Sequence, residues 1–397
     1  MERAQLESLV MATGCAEQHG GYTFLIDPHW TAVQREKFAN IKQSQVGILI
    51  SEIDQGWLCI PTGGSSGGLK FARHDEQTLS AAVGGFCEHF ELEKVDAIDV
   101  LPPWHVSGLM SRVRCAATGG RYLAWQWKML ESGEWPELSG EEMLSLVPTQ
   151  LQRLLAESRA VAWMQGLKLI LIGGGPSWPS LEDAASAANL SVVFSYGMTE
   201  TAAMILAQTP DEFASGDRSS GRALPQARID VCDAETGAVV GADQCGVIRI
   251  TGSSVMRGYY GDDLSEGLFL TADLGRLDSS GHLQVEGRLD DVIITGGEKV
   301  SARSIESILR GCDGLYDVVV LGLPHEEWGE EVVTCYLSDH SHGEASLARW
   351  ASANLTKHQC PKRFMRFSAT EWPLNGQGKV NRAELRRLAL SNPSRDI

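Results

Sequence analysis

A chain of 397 residues with 43% apolar residues and 11 tryptophans is long enough for more than one core, because single cores stop growing near ~300 residues. Its 51 Asp+Glu against 34 Lys+Arg give a formal charge of -17, which argues against nucleic acid or anionic lipid as partners; any polyanionic ligand must be gripped locally. The 9 cysteines are scattered singly, without a CxxC pair or a His/Cys cluster at zinc spacing, and no apolar run approaches the ~20 residues of a membrane span, so the expectation is a cytoplasmic chain with reduced thiols and no membrane insertion.

In chain order, VGILI (46–50) reads as a short strand and is followed by CIPTGGSSGGLKFARH (59–74), a glycine-rich turn. Gly63 and Gly68 have the glycine spacing of a Walker phosphate loop, but Leu69 stands where its lysine belongs and Phe71 follows Lys70, so that reading fails. Thr62, Gly63, Gly64, Ser65, Ser66, Gly67 and Lys70 remain as an amide-and-hydroxyl cradle suited to a departing pyrophosphate, or as a surface turn rich in small residues. AIDVLP (97–102), LKLILIGGG (167–175) and LSVVFSYG (190–197) read as strands, and EEMLSLVPTQLQRLLAE (141–157) reads as a helix. That alternation predicts an α/β sheet covered by helices, with ligands at the strand ends.

SYGMTET (195–201) ends a strand with Tyr196 and Gly197 and continues with Thr199 and Glu200. An aromatic ring, a hydroxyl and a carboxylate could stack a base, bond a phosphate and hold Mg²⁺; Thr followed by Glu could equally cap a helix. After about residue 220 the texture becomes antiparallel, with turns at DAETG and DSSG. FLTADLG presents Asp273, a ribose acceptor or a turn cap, and GRLDDVIITGGEKV places Arg288 before an acidic pair. A third region from about residue 290 reads as a small α+β pattern, and PLNGQGKVNRAEL sets Lys379 on a Gly-flanked loop before a helix, where a lysine is usually a solvated charge. The predicted organisation is an N-terminal domain over 1–289, with a β-rich subdomain at about 220–289, and a small C-terminal domain over 290–397.

Taken in order, these motifs resemble the adenylate-forming superfamily of acyl-CoA synthetases, luciferases and peptide-synthetase adenylation domains. Thr62 to Lys70 is similar to the family's phosphate loop, Tyr196 to Glu200 to its aromatic-Gly-x-Thr-Glu motif, and Asp273 to its ribose aspartate. Gly287 to Asp291 matches its Gly-Arg-x-x-Asp hinge, and Gly378 to Arg382 its C-terminal Gly-Lys-x-x-Arg. Departures are Leu69 for the usual proline, Ala272 for a glycine and Gln226 for a glycine, and the chain is short at its N-terminal side. LPPWHVSGLM, LSLVPTQLQRLL and LKLILIGGGP resemble the branch acting on o-succinylbenzoate with CoA, in its cyanobacterial form, within menaquinone and phylloquinone synthesis.

The resemblance implies an ATP-dependent, AMP-forming acid–CoA ligase that uses ATP, Mg²⁺ and CoA. It implies a catalytic Lys379 that neutralises carboxylate and α-phosphate, Thr199 on the phosphate, Glu200 on Mg²⁺, and Arg288 and Asp273 on the nucleotide. It further implies nucleotide contacts from Gly174, Gly175, Pro176, Tyr196 and Gly197, acid contacts from His105, Gly174 and Gly197, and domain rotation about Asp290. His105 reads equally as a histidine packed at a strand end. Other aryl, fatty or amino acids, and a non-catalytic nucleotide-binding module, remain alternatives, and a homo-oligomer is compatible with every one of them.

Overall fold

The computed structural model describes residues 1–43, 55–63, 69–265, 267–338, 344–374 and 380–391. Within them the chain forms four sheets, three in a large N-terminal domain and one in a small C-terminal domain, an α/β architecture as the sequence implied. The expected strand at 46–50 falls outside the described residues.

The first sheet runs β1 (Ala16–His19), β2 (Tyr22–Leu25), β3 (Leu58–Gly63) and β4 (Leu69–His74) in that order. β3 and β4 form an antiparallel hairpin in which Thr62 pairs with Lys70 and Gly63 with Leu69. The glycine-rich loop is therefore a hairpin connection, whereas a Walker loop joins a strand to a helix.

The central sheet has seven strands, β5 (Asp96–Asp99), β6 (Tyr122–Ala124), β7 (Glu142–Leu146), β8 (Leu169–Ile172), β9 (Val192–Met198), β10 (Ala203–Ala207) and β11 (Arg222–Ala223). Strands β5 to β9 pair in parallel, while β10 turns back antiparallel on β9. All four residues of β8 are buried because both faces are covered: Ile170 and Ile172 enter one core, Leu169 and Leu171 another.

The helix expected over 141–157 is corrected: residues Glu142–Leu146 are strand β7, and the helix is Pro148–Leu155. The reason is Pro148, whose ring disfavours helical backbone at the preceding residue; Val147 sits at φ -88 ψ 157, and proline opens the helix where its missing N–H is harmless.

The third sheet is an antiparallel meander of β12 (Ala227–Cys232), β13 (Gly246–Gly252), β14 (Leu268–Leu277) and β15 (Leu283–Arg288). Beyond it a short turn, Leu289–Asp291, leads into the last sheet: β16 (Val292–Thr295), β17 (Glu298–Ser301), β18 (Leu315–His325), β19 (Gly329–Ser338) and β20 (Arg363–Phe367). Here too alternation separates two cores. Val318 and Val320 face helices Ala302–Leu309 and Glu344–Asn354, while Val319 and Leu321 face helix Arg382–Ser391. No helix among the described residues is long and apolar enough to cross a membrane.

Candidate active site

The geometry of the site starts from the turn between β9 and β10. Met198 pairs with Ala203, and Thr199–Thr201 form one turn of 3₁₀ helix between them, so the Thr-Glu pair lies in a hairpin and does not cap an α-helix. Thr201 holds this turn through its hydroxyl, which lies 3.1 Å from the Met198 carbonyl and 2.7 Å from the Ala203 carbonyl. Ala202 at φ 55 and Ala203 at φ 79 occupy the left-handed region that side chains disfavour, a strain that surrounding contacts must sustain. Gly197 is required by space: a Cβ there would meet the Ala203 carbonyl oxygen at 2.0 Å.

Glu200 is 7% exposed, and its Oε1 accepts from two hydroxyls, Thr62 at 3.1 Å and Tyr259 at 2.8 Å. Among the described residues no hydrogen bond reaches its Oε2. A carboxylate oxygen held open in this way, beside a phosphate-type loop, suits a hard divalent cation that takes its remaining ligands from phosphates and water. Below the turn, fully buried His74 at the end of β4 lies with Nε2 2.8 Å from the Thr199 carbonyl; burial lowers its pKa to about 4.

The second wall comes from the meander. Asp273 and Arg288 are register partners on β14 and β15, and Arg288 Nη1 donates to Asp273 Oδ1 at 3.2 Å. The other oxygen, Oδ2, accepts from the Tyr196 hydroxyl at 2.6 Å. Burial, followed by the charge of Asp273, pushes the Tyr196 phenol well above its usual range, so it remains a donor.

These walls face one cleft of 920 Å³, which also takes in His105, Gly174, Gly175, Pro176 and Gly197, so ten residues expected at the site converge: these five with Thr62, Tyr196, Glu200, Asp273 and Arg288, joined by Thr199 as an eleventh. The small domain contributes Arg303, Ser304 and Ser307 to the rim. Lys70 does not line the cleft; its Nζ sits 4.9 Å over the ring of Tyr259. Gly64, Ser65, Ser66, Gly67 and Lys379 fall outside the described residues, and Asp290 is described only as backbone of the turn Leu289–Asp291.

Three residues of the site carry no sequence motif of their own: His74, Tyr259 and Arg114. Arg114 lines the cleft at 5% exposure, its guanidinium 3.9 Å from the centre of the Phe86 ring. Its Nε has no hydrogen-bond partner, no carboxylate pairs with it among the described residues, and burial lowers its pKa to about 10, which leaves it charged at neutral pH. Away from the cleft, Glu212, Asp217 and His282 bring metal-type ligands together, but Arg222 Nε lies 3.1 Å from His282 Nε2 and already supplies the positive charge there.

A family model described as AMP-binding enzyme matches residues 8–260, and one described as AMP-binding enzyme C-terminal domain matches residues 304–379. The 2-succinylbenzoate–CoA ligase of Geobacillus kaustophilus is 30% identical over 297 residues, 72% of this chain and 60% of that protein. The protein of the same name from Enterococcus faecalis is 29% identical over 327 residues, 80% of this chain and 67% of its own length. The chain thus spans 60% of the first of these relatives. Among solved structures, o-succinylbenzoate CoA synthetase from Bacillus subtilis in complex with the acyl-adenylate intermediate OSB-AMP has a TM-score of 0.73 at 25% identity, covering 84% of this chain and 69% of that one. ATP-bound MatB from Rhodopseudomonas palustris has a TM-score of 0.72 at 27% identity, covering 85% and 68%.

Proposed function

Because the chain belongs to the AMP-binding enzyme family, the adenylate-forming enzymes, we propose that it activates a carboxylic acid with ATP and passes the acyl group to CoA, with o-succinylbenzoate as the acid. The observation that carries this reading is the single cleft in which Tyr196, Asp273 and Arg288 form a nucleoside wall opposite Glu200 and Thr62.

In the first half-reaction a carboxylate oxygen attacks the α-phosphorus and pyrophosphate leaves. In the second, the CoA sulfur attacks the acyl carbon and AMP leaves. Two anions must meet in the first step, so positioned positive charge governs its rate. Tyr196 offers its ring to the base while its hydroxyl fixes Asp273, whose carboxylate accepts from the ribose hydroxyls. Gly174 to Pro176 and Gly197 let the nucleotide approach the backbone. Thr199 bonds the α-phosphate, and Thr62 to Lys70 guide pyrophosphate out. Mg²⁺ on Glu200 Oε2 would neutralise phosphate charge. Lys379 bridges carboxylate and α-phosphate, and the small domain then turns about Asp290 to admit CoA.

The choice of acid rests on Arg114 as well as on the relatives. o-Succinylbenzoate carries two carboxylates and only one is activated, so the second must be received. A buried, charged guanidinium with no carboxylate partner among the described residues, on the cleft wall, supplies that receptor. His105 also lines the cleft.

A panel of carboxylic acids assayed for CoA-dependent nucleotide release tests the reading. AMP and pyrophosphate should appear with o-succinylbenzoate, and ADP as product would overturn adenylation. A far faster rate with a monocarboxylic acid would replace the substrate and leave the reaction intact.

A further inference from the structure

The segment Met256–Tyr260, which connects β13 to β14 and carries no role in the reading above, is stitched between the two parts of the phosphate site. Arg257 N donates to the Arg73 carbonyl at 2.8 Å, Arg73 N to the Gly258 carbonyl at 2.9 Å and Tyr260 N to the Phe71 carbonyl at 2.8 Å, so the segment runs as an added strand along β4. At its other end Met256 N donates to the carbonyl of Glu200 itself at 2.8 Å. The side chains repeat the tie. Arg73, 1% exposed, donates to the carbonyls of Arg257 and Asp262, and Arg257 Nε meets Asp75 Oδ2 at 2.7 Å. Gly258 is needed for the approach, since a Cβ there would lie 2.5 Å from the Asp263 carbonyl oxygen at φ +102.

From this rigid support one side chain reaches the chemistry. The Tyr259 hydroxyl donates to Glu200 Oε1 at 2.8 Å, and the face of the same ring receives Lys70 Nζ at 4.9 Å. We propose that Tyr259 is a positioning residue that locks the Glu200 carboxylate with Oε2 turned to the cation and couples it to Lys70 on the returning strand of the phosphate loop. Thr62 and Tyr259 together fill Oε1, so rotation of the carboxylate would break two hydrogen bonds. Removing the phenol oxygen leaves Thr62 alone and frees that rotation. Packing against Phe269, 6.5 Å away edge to face, is unaffected by Phe.

The inference rests on the reading of Glu200 as the cation ligand, and the test separates the two. ATP is titrated by calorimetry into the parent, Tyr259→Phe and Glu200→Gln, in Mg²⁺ and in EDTA, and the ratio of the two dissociation constants is taken within each protein. That ratio is independent of how much of a variant is folded. Mg²⁺ should tighten ATP binding to the parent, Glu200→Gln should abolish the tightening, and Tyr259→Phe should reduce it about tenfold while binding in EDTA is unchanged, the size expected for losing a hydrogen bond to a charged group. If Glu200→Gln loses the tightening and Tyr259→Phe keeps the parent ratio, the positioning role is wrong and the role of Glu200 stands. If Glu200→Gln keeps the parent ratio, the ligand assignment fails and the role of Tyr259 falls with it.

Discussion

Acidification should weaken the large domain through one buried histidine, and the size of the effect follows from its surroundings. His74 is fully buried, with Nε2 2.8 Å from the Thr199 carbonyl and Nδ1 3.1 Å from the Thr78 hydroxyl. A carbonyl can only accept, so Nε2 carries the proton and the neutral ring already has both its partners. Burial lowers its pKa from 6.5 to about 4. The unfolded chain therefore binds a proton that the folded chain refuses. Stability is complete above pH 6.5 and falls as the pH drops toward 4. At about 1.4 kcal/mol per pKa unit the whole shift is worth ~3 kcal/mol, of which about 2 kcal/mol is expressed between pH 7 and pH 5. Urea unfolding at pH 7, 6 and 5 should show the parent losing about 2 kcal/mol more than His74→Gln, whose amide keeps a donor toward Thr199 and does not titrate. Parallel losses in the two proteins would refute the assignment of the buried neutral ring.

Arg114→Met should raise KM for o-succinylbenzoate so that kcat/KM falls about 10²-fold, with little change for monocarboxylic acids and no loss of thermal stability, because the buried charge it removes has no carboxylate partner among the described residues. Gly197→Ala forces its Cβ to within 2.0 Å of the Ala203 carbonyl oxygen; the hairpin must open, and calorimetry should show loss of ATP binding with a destabilisation of about 3 kcal/mol. Lys379→Ala should slow acyl-adenylate formation about 10²-fold or more while thioester formation from supplied acyl-adenylate stays near the parent rate, measured by single-turnover quench; equal losses would refute a lysine that serves one half-reaction.

What could be read from the chain alone was the chemistry that sits on contiguous segments. Tyr196, Gly197, Thr199 and Glu200 are close in sequence, and Asp273 and Arg288 are the ends of one hairpin, so local strand geometry assembles each group, while the Tyr196–Asp273 bond that joins the two groups spans distant segments. The buried run of β8 was equally legible, since an apolar tetrapeptide beside glycines fits a parallel strand. The region 141–157 misled because β7 is buried on both faces and shows no alternation, although Pro148 carried the signal that a boundary lay there. His74, Arg114 and Tyr259 could not be found in this way. The bonds of His74 to Thr199 and of Tyr259 to Glu200 join distant segments, and the role of Arg114 depends on having no carboxylate partner among the described residues. The glycine-rich loop was rejected as a Walker loop on residue identity alone, and the hairpin register of Thr62 with Lys70 supplies the geometric reason.

The central claim is that the acid's own oxygen attacks the α-phosphorus of ATP, and an isotope measurement tests it directly. o-Succinylbenzoate labelled with ¹⁸O in its carboxylates is turned over with ATP and CoA, and the nucleotide and pyrophosphate are examined by mass spectrometry. The bridging oxygen of an acyl-adenylate stays with phosphorus when the CoA sulfur attacks the acyl carbon. The account predicts one ¹⁸O in each AMP and none in pyrophosphate. Unlabelled AMP, or label in inorganic phosphate beside ADP, would contradict it.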